Sequence, residues 1–137
     1  MMFCRNFAPL FENWLHSCVR NGIEPHNNLI VFCLDQEAAQ LADTLGVKHY
    51  FFDPEHYSPA GKSERFGDEW FRNTILYKNA VISESLTLGA SILFQDVDLI
   101  WFKDPFVYLE ESRQHYDIQI MYDGPNLMGD LFTAIRV

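Results

Sequence analysis

Basic residues are scarce in this chain: ten Lys and Arg stand against nineteen Asp and Glu, for a formal charge of −9. That balance excludes a surface built to attract nucleic-acid phosphates without sequence preference. It also means that a doubly anionic pyrophosphate would need a bridging cation to bind here. Cysteines are few and odd in number, Cys4, Cys18 and Cys33, with no CxxC spacing. Neither a complete disulfide framework nor a zinc knuckle is indicated, and free, buried thiols are expected. The five histidines, His16, His26, His49, His56 and His115, show no HxH or HExxH spacing, and none is assigned to a metal. No apolar run reaches the roughly 18 to 20 residues of a membrane-spanning helix, and Met1–Leu10 lacks a signal-peptide core and cleavage site. The chain by itself reads as soluble, with any anchor lying upstream of it.

What is present suits a single α/β domain: 137 residues, 48% hydrophobic and 15% aromatic, are enough to build one substantial core. From Phe7 to Asn21, Leu10, Phe11, Trp14, Leu15, Cys18 and Val19 recur at three- and four-residue steps and Gly22 supplies a stop, which predicts an amphipathic helix. Leu29–Leu34 is a short apolar run suited to a strand covered on both faces. Helical spacing returns over Gln36–Leu45, closed by Gly46, and His49–Phe52 reads as the next strand. Strand, helix, strand is a βαβ unit. Residues 53–68, rich in Pro, Gly, Ser and charge, read as a loop long enough to cover a site. Asp68 can cap a long helix running to Leu88, with Gly89 just past its end. The apolar strand Ser91–Gln95, a short helix after Pro105 and a strand over Asp117–Tyr122 follow. The strands at 29–34, 49–52, 91–95 and 117–122 are expected in one mostly parallel sheet, with helices on both faces.

The sharpest feature is Leu93-Phe94-Gln95-Asp96-Val97-Asp98, continuing through Trp101 to Asp104-Pro105. Two carboxylates at the end of a buried strand can serve one cation if the chain turns there. Hard oxygen ligands of this kind suit Mn²⁺ or Mg²⁺ carrying phosphate oxygens as its remaining ligands. The carboxyl ends of strands in open α/β sheets are also where ligands bind. The plain alternative is that Asp96 and Asp98 merely end the strand and cap the next turn. Lys78 interrupts an apolar helical stripe of Phe71, Ile75, Ile82 and Leu86, so it either forms a structural salt bridge or meets an anion. Asp35, at the mouth of the second strand, either hydrogen-bonds a nucleotide or caps the helix that starts at Gln36. Arg72, Lys62 and Arg65 read as solvated charges. Trp14, Trp70 and Trp101 read as core aromatics, with Trp101 also placed to line a pocket beside the acidic pair.

With these residues the chain resembles the nucleotide-diphospho-sugar transferase family, the group that includes glycosyltransferase family 77 and has a GT-A fold. The resemblance runs through Asn13-Trp14-Leu15, Val31-Phe32-Cys33-Leu34-Asp35, Tyr77-Lys78, Leu88-Gly89 and the DxD strand with Trp101 and Asp104-Pro105. It implies a GT-A-like, Rossmann-type sandwich, truncated at both ends. It also implies a retaining transfer of galactose, xylose or arabinose from a uridine-diphosphate donor to a glycan or protein-linked acceptor. By the same resemblance Asp98 ligates the metal directly, Asp96 faces the metal and the donor's ribose, Lys78 lies beside the diphosphate or sugar, and Asp123-Gly124 fits the family pattern, which makes Asp123 a further candidate for binding the donor. The full-length protein would be a Golgi-lumenal, type II membrane protein whose anchor is absent from this chain. The family's Asn-Thr-Gly-Phe-Phe segment is replaced by Gly129-Asp130-Leu131-Phe132, and the chain is expected to be the donor-binding half of a larger domain. Two rivals remain open at this point: a remnant that binds nucleotide or metal without turnover, and a haloacid-dehalogenase-like phosphatase. The phosphatase fits the aspartate spacing but not the position of the motif deep in the chain.

Overall fold

The computed structural model describes residues 1–51, 67–112, 114–120 and 133–135. β1 (Met2–Phe3) leads through a 3-10 turn into α1 (Ala8–Arg20). β2 (Val31–Cys33), α2 (Gln36–Thr44) and β3 (His49–Phe51) complete the βαβ unit. α3 (Glu69–Thr87) then precedes β4 (Ile92–Phe94), α4 (Pro105–Ser112), β5 (Ile118–Ile120) and β6 (Thr133–Ile135).

The first three strands form a parallel sheet in the order β1-β2-β3, with Met2 opposite Phe32 and Phe3 opposite Cys33. Because successive strand residues face opposite ways, this register sorts the side chains into two cores. Phe3, Val31 and Cys33 pack with Phe11, Trp14 and Cys18 of α1 and with the alanines Ala38, Ala39 and Ala42 of α2. Met2, with the partly buried Phe32 and Leu34, packs instead with Val81 of α3 and Phe94 of β4. Helices on both faces of a parallel sheet are therefore observed, as the sequence predicts.

The expectation of one sheet is not met. β4 pairs antiparallel with β6, and β6 with β5, giving a second three-stranded sheet in the order β4-β6-β5. The strand that intervenes, Thr133–Ile135, is too short to carry a periodic signal, and its partner Phe94 lies far back in the chain. Only a long-range pairing reveals it.

Within elements the expectations hold more closely. Ala8, Phe11, Trp14, Leu15 and Cys18 form the buried stripe of α1, whereas Leu10 and Val19, at 39% and 68% exposure, flank the stripe and face out. α2 starts at its Asp35 cap and α3 at its Asp68 cap, each carboxylate accepting from a backbone N–H three residues on. Gly89 has φ 79°, the left-handed conformation that glycine adopts without a Cβ penalty at the end of a helix. The inward face of α3 runs through Phe71, Thr74, Lys78 and Val81, while Ile75 is exposed, so the contact stripe is rotated from the predicted one. Cys4, Cys18 and Cys33 are free and buried.

Candidate functional site

β4 ends at Phe94, Gln95 is buried, and the chain then turns at Val97–Asp98. Alternation through this stretch sends Gln95 and Val97 inward, both under 10% exposed, and leaves Asp96 half-buried and Asp98 exposed. Asp96 and Asp98 line one cavity of about 240 Å³. Its other walls come from the ends of β1 and β2, at Met2, Phe3, Cys4 and Leu34, and from α3. The cavity therefore sits at the carboxyl ends of three strands, where open α/β folds bind ligands. As bounded by the described residues, it is somewhat smaller than the roughly 300 Å³ at which whole-ligand pockets begin.

The exit from the acidic turn is held by a buried network. Trp101 Nε1–H donates to Gln95 Oε1 at 2.7 Å, closing the segment that carries both aspartates. Asn21 Nδ2 donates to the Trp101 carbonyl at 2.9 Å, and the Trp101 ring meets Trp14 edge to face at 5.0 Å between centroids. Trp101 is thus a core aromatic that pins the turn to α1. The alternative of Trp101 lining the acidic cavity is not what the structure places: it borders a separate small cavity of about 40 Å³ with Trp14 and Gln95. Asp104 Oδ1 accepts from the Phe106 N–H at 2.9 Å and starts α4, with Pro105 at the first helical position.

Lys78 reaches into the 240 Å³ cavity from α3, and its Nζ lies 2.5 Å from Asp96 Oδ1. The two side chains are 27% and 21% exposed, so the pair is partly desolvated. The ammonium also stands 6.0 Å from the centroid of the Phe94 ring. Of the two readings of Lys78, the ion pair is the one observed, and its partner Asp96 lines the same cavity as Lys78 itself. Burial pushes the Met1 amino group down to about 5; Asp96 opposes that shift, and Lys78 adds to it.

Asp35 takes the capping alternative. Oδ1 accepts from the Ala38 N–H and Oδ2 from the Arg5 N–H, each at 2.8 Å, and Asp35 is not among the residues lining the cavity. Arg72 is exposed and is not among the residues lining the cavity. Asp123, Lys62, Arg65, the 53–68 loop up to residue 66 and the Gly129–Phe132 segment lie outside the described residues.

Sequence reasoning missed Phe7, Trp70, Phe71 and Thr74, all of which line the cavity, and it placed Trp70 in the core, where the structure shows it half-buried at the cavity wall. A signal was available. Trp70, Thr74 and Lys78 are spaced i, i+4, i+8, one face of one helix.

Among the described residues no group of three or more His, Cys, Asp or Glu side chains converges as a metal site. The donor set on offer is two carboxylates, of which Asp96 already faces an ammonium and Asp98 has an exposed carboxylate. Two hard oxygen donors beside a cavity fit a divalent cation that draws its remaining ligands from a bound phosphate.

A family model for nucleotide-diphospho-sugar transferases matches residues 24–130. The chain belongs to that family. The match spans the acidic turn, Lys78 and the α3 wall together, and it sets aside the phosphatase alternative. Among curated proteins, this transferase-family chain is similar to UDP-D-xylose:L-fucose alpha-1,3-D-xylosyltransferase 3 of Arabidopsis thaliana. The two are 28% identical over 117 residues, which is 85% of this chain and 29% of that protein. It is also similar to arabinosyltransferase RRA1 of the same plant, 31% identical over 120 residues, 87% of this chain and 27% of that protein. Beta-arabinofuranosyltransferase RAY1, again from Arabidopsis thaliana, is 34% identical over 86 residues, 61% of this chain and 16% of that protein. The chain thus spans less than a third of the length of these relatives. No solved structure matches it.

Proposed function

We propose that this chain carries the donor-binding part of a metal-dependent glycosyltransferase of GT-A type, which takes its sugar from a uridine-diphosphate donor. The observation that carries the proposal is the convergence of Asp96, Asp98 and Lys78 on one cavity at the carboxyl ends of β1, β2 and β4. Asp98 is the direct metal ligand on this reading, because its carboxylate is exposed at the turn. Asp96 assists it and orients Lys78, whose ammonium supplies a positive charge to the diphosphate. A divalent cation at this position, Mn²⁺ or Mg²⁺, would supply Lewis-acid stabilisation of the negative charge that develops on the leaving nucleoside diphosphate. Trp70, Phe71 and Phe7 exclude water from the same space and offer aromatic surface to the nucleotide.

The names of the relatives favour a pentose, xylose or arabinose, as the transferred sugar, and the xylosyltransferase name gives L-fucose as acceptor, which supports a glycan acceptor in this reading. Transfer with retention of configuration and a Golgi-lumenal setting belong to the same reading. No described helix is long and apolar enough to cross a membrane.

Titration calorimetry with uridine diphosphate tests the proposal. Binding is expected with Mn²⁺ present and should be nearly lost in chelator. Equal affinity under the two conditions would remove the metal from the reading.

A further inference from the structure

The acidic pair is asymmetric. Asp96 has a cation against it already, the Lys78 ammonium at 2.5 Å, whereas Asp98 is exposed at the turn. A divalent metal that used both carboxylates would have to share Asp96 with an ammonium or expel it. Formal charge sharpens the point. Lys78, Asp96 and Asp98 together carry a single net negative charge, so a divalent cation entering alone leaves the cluster net positive, with two cations against one another. That repulsion is costly in a partly desolvated cavity, where the effective dielectric constant is well below that of water. A diphosphate entering with the metal returns the cluster to a net negative charge and gives the ammonium somewhere to go.

We propose that Lys78 is a resident counter-cation that holds Asp96 until a metal–nucleoside diphosphate arrives, and then exchanges Asp96 for a phosphate oxygen. This rests on the metal-dependent donor reading above and adds to it a definite ligand, the metal–diphosphate pair taken together. The geometry allows the exchange without movement of the backbone. Lys78 is anchored on α3 by its stem, both carboxylates and the ammonium border the same space, and the long lysine side chain can swing between a carboxylate and a phosphate within it.

The test is Mn²⁺ binding without nucleotide, read from the electron paramagnetic resonance signal of free Mn²⁺, alongside uridine diphosphate affinity at saturating Mn²⁺. It uses the whole chain as wild type, Lys78→Met, Lys78→Arg and Asp98→Ala. Lys78→Met keeps the apolar stem and deletes the charge. It should bind Mn²⁺ alone about 3- to 10-fold more tightly than wild type, because Asp96 is released, and bind uridine diphosphate about 10-fold or more weakly, because a charged hydrogen bond is lost. These opposite signs are the signature of exchange. A lysine with a purely structural role would weaken both or neither. Lys78→Arg should keep Mn²⁺ alone weak, as in wild type. If Lys78→Met bound Mn²⁺ alone no more tightly than wild type while Asp98→Ala abolished metal binding, exchange would be wrong and the metal site would stand. If Asp98→Ala left both affinities unchanged, the metal reading itself would fail, and exchange with it.

Discussion

The hydrogen bond between Trp101 and Gln95 sets the shape of the segment that carries both aspartates, and its contribution can be worked out from the burial of the partners. Gln95 is 3% exposed and Trp101 9%, and the bond between them is 2.7 Å long. Trp101→Phe keeps an aromatic ring against Trp14 but deletes the donor, leaving Gln95 Oε1 buried and unpaired. That loss costs about 1 to 3 kcal/mol, before any term for the smaller ring. Gln95→Leu has a mixed effect. It strands the Trp101 N–H at a similar cost, yet it also removes Gln95 Nε2, a buried donor with no hydrogen-bond partner among the described residues, so the net loss should be only about 0 to 1 kcal/mol. The double variant Gln95→Leu/Trp101→Phe has neither group. It should be more stable than the sum of the single losses predicts, by about 1 to 2 kcal/mol. Urea denaturation followed by circular dichroism on all four proteins measures that coupling. A coupling below about 0.5 kcal/mol would show that the bond contributes nothing beyond packing, and the argument that it shapes the turn would fall. A second readout addresses function: Gln95 does not line the 240 Å³ cavity, yet Gln95→Leu should weaken Mn²⁺-dependent uridine diphosphate binding several-fold by loosening Asp96 and Asp98.

Two further outcomes are expected. Asp98→Ala should lower metal and uridine diphosphate affinity together, by several kcal/mol if the cation is the main bridge to the phosphates, with Asp98→Asn nearly as damaging in the same calorimetric assay. Burial pushes the Cys33 thiol up to about 12 and the Cys18 thiol up to about 11, so neither should react with an aromatic disulfide reagent at pH 8 until the chain is unfolded in urea. The sign for stability follows from the same shifts. Unfolded thiols ionise near 9 while the buried ones do not, so their contribution is fully present below pH 9 and is lost as pH rises toward 11 to 12. Stability that was flat across pH 9 to 11 would contradict it.

How much of this was legible depends on the range of the interaction that decides each feature. α1, α2 and α3 could be read because their caps, stop glycines and apolar spacings are local, and Asp35, Asp68 and Gly89 act within a few residues of themselves. The acidic turn could be read because an apolar strand and a Trp-Phe-x-Asp-Pro exit bracket it. The sheet division could not, since β6 finds β4 across about forty residues and its three-residue sequence has no pattern of its own. Leu10, Val19 and Ile75 were misplaced for a related reason. Hydrophobicity marks which residues can be buried, and the arc that a neighbour covers decides which are. Trp70 shows the converse: a large aromatic reads as core until its helical neighbours Thr74 and Lys78 are found at a cavity with it.

The division into two sheets has a mechanical consequence for the cavity. One wall belongs to β1, β2 and their parallel ladder, another to α3 and a third to the turn after β4, and no described backbone hydrogen bond ties β1 to β4. The gap between the walls is set by the bulk of Met2, Val81 and Phe94, wedged together beneath it, and by the reach of one lysine. A ladder fixes strand spacing at about 4.8 Å whatever the side chains are. A seam of side chains does not, and its width can be adjusted one methylene at a time. The mouth of this cavity could therefore be widened or narrowed by substitutions at Val81 or Phe94, which pack against Met2 without lining the cavity themselves, leaving every strand register as it is.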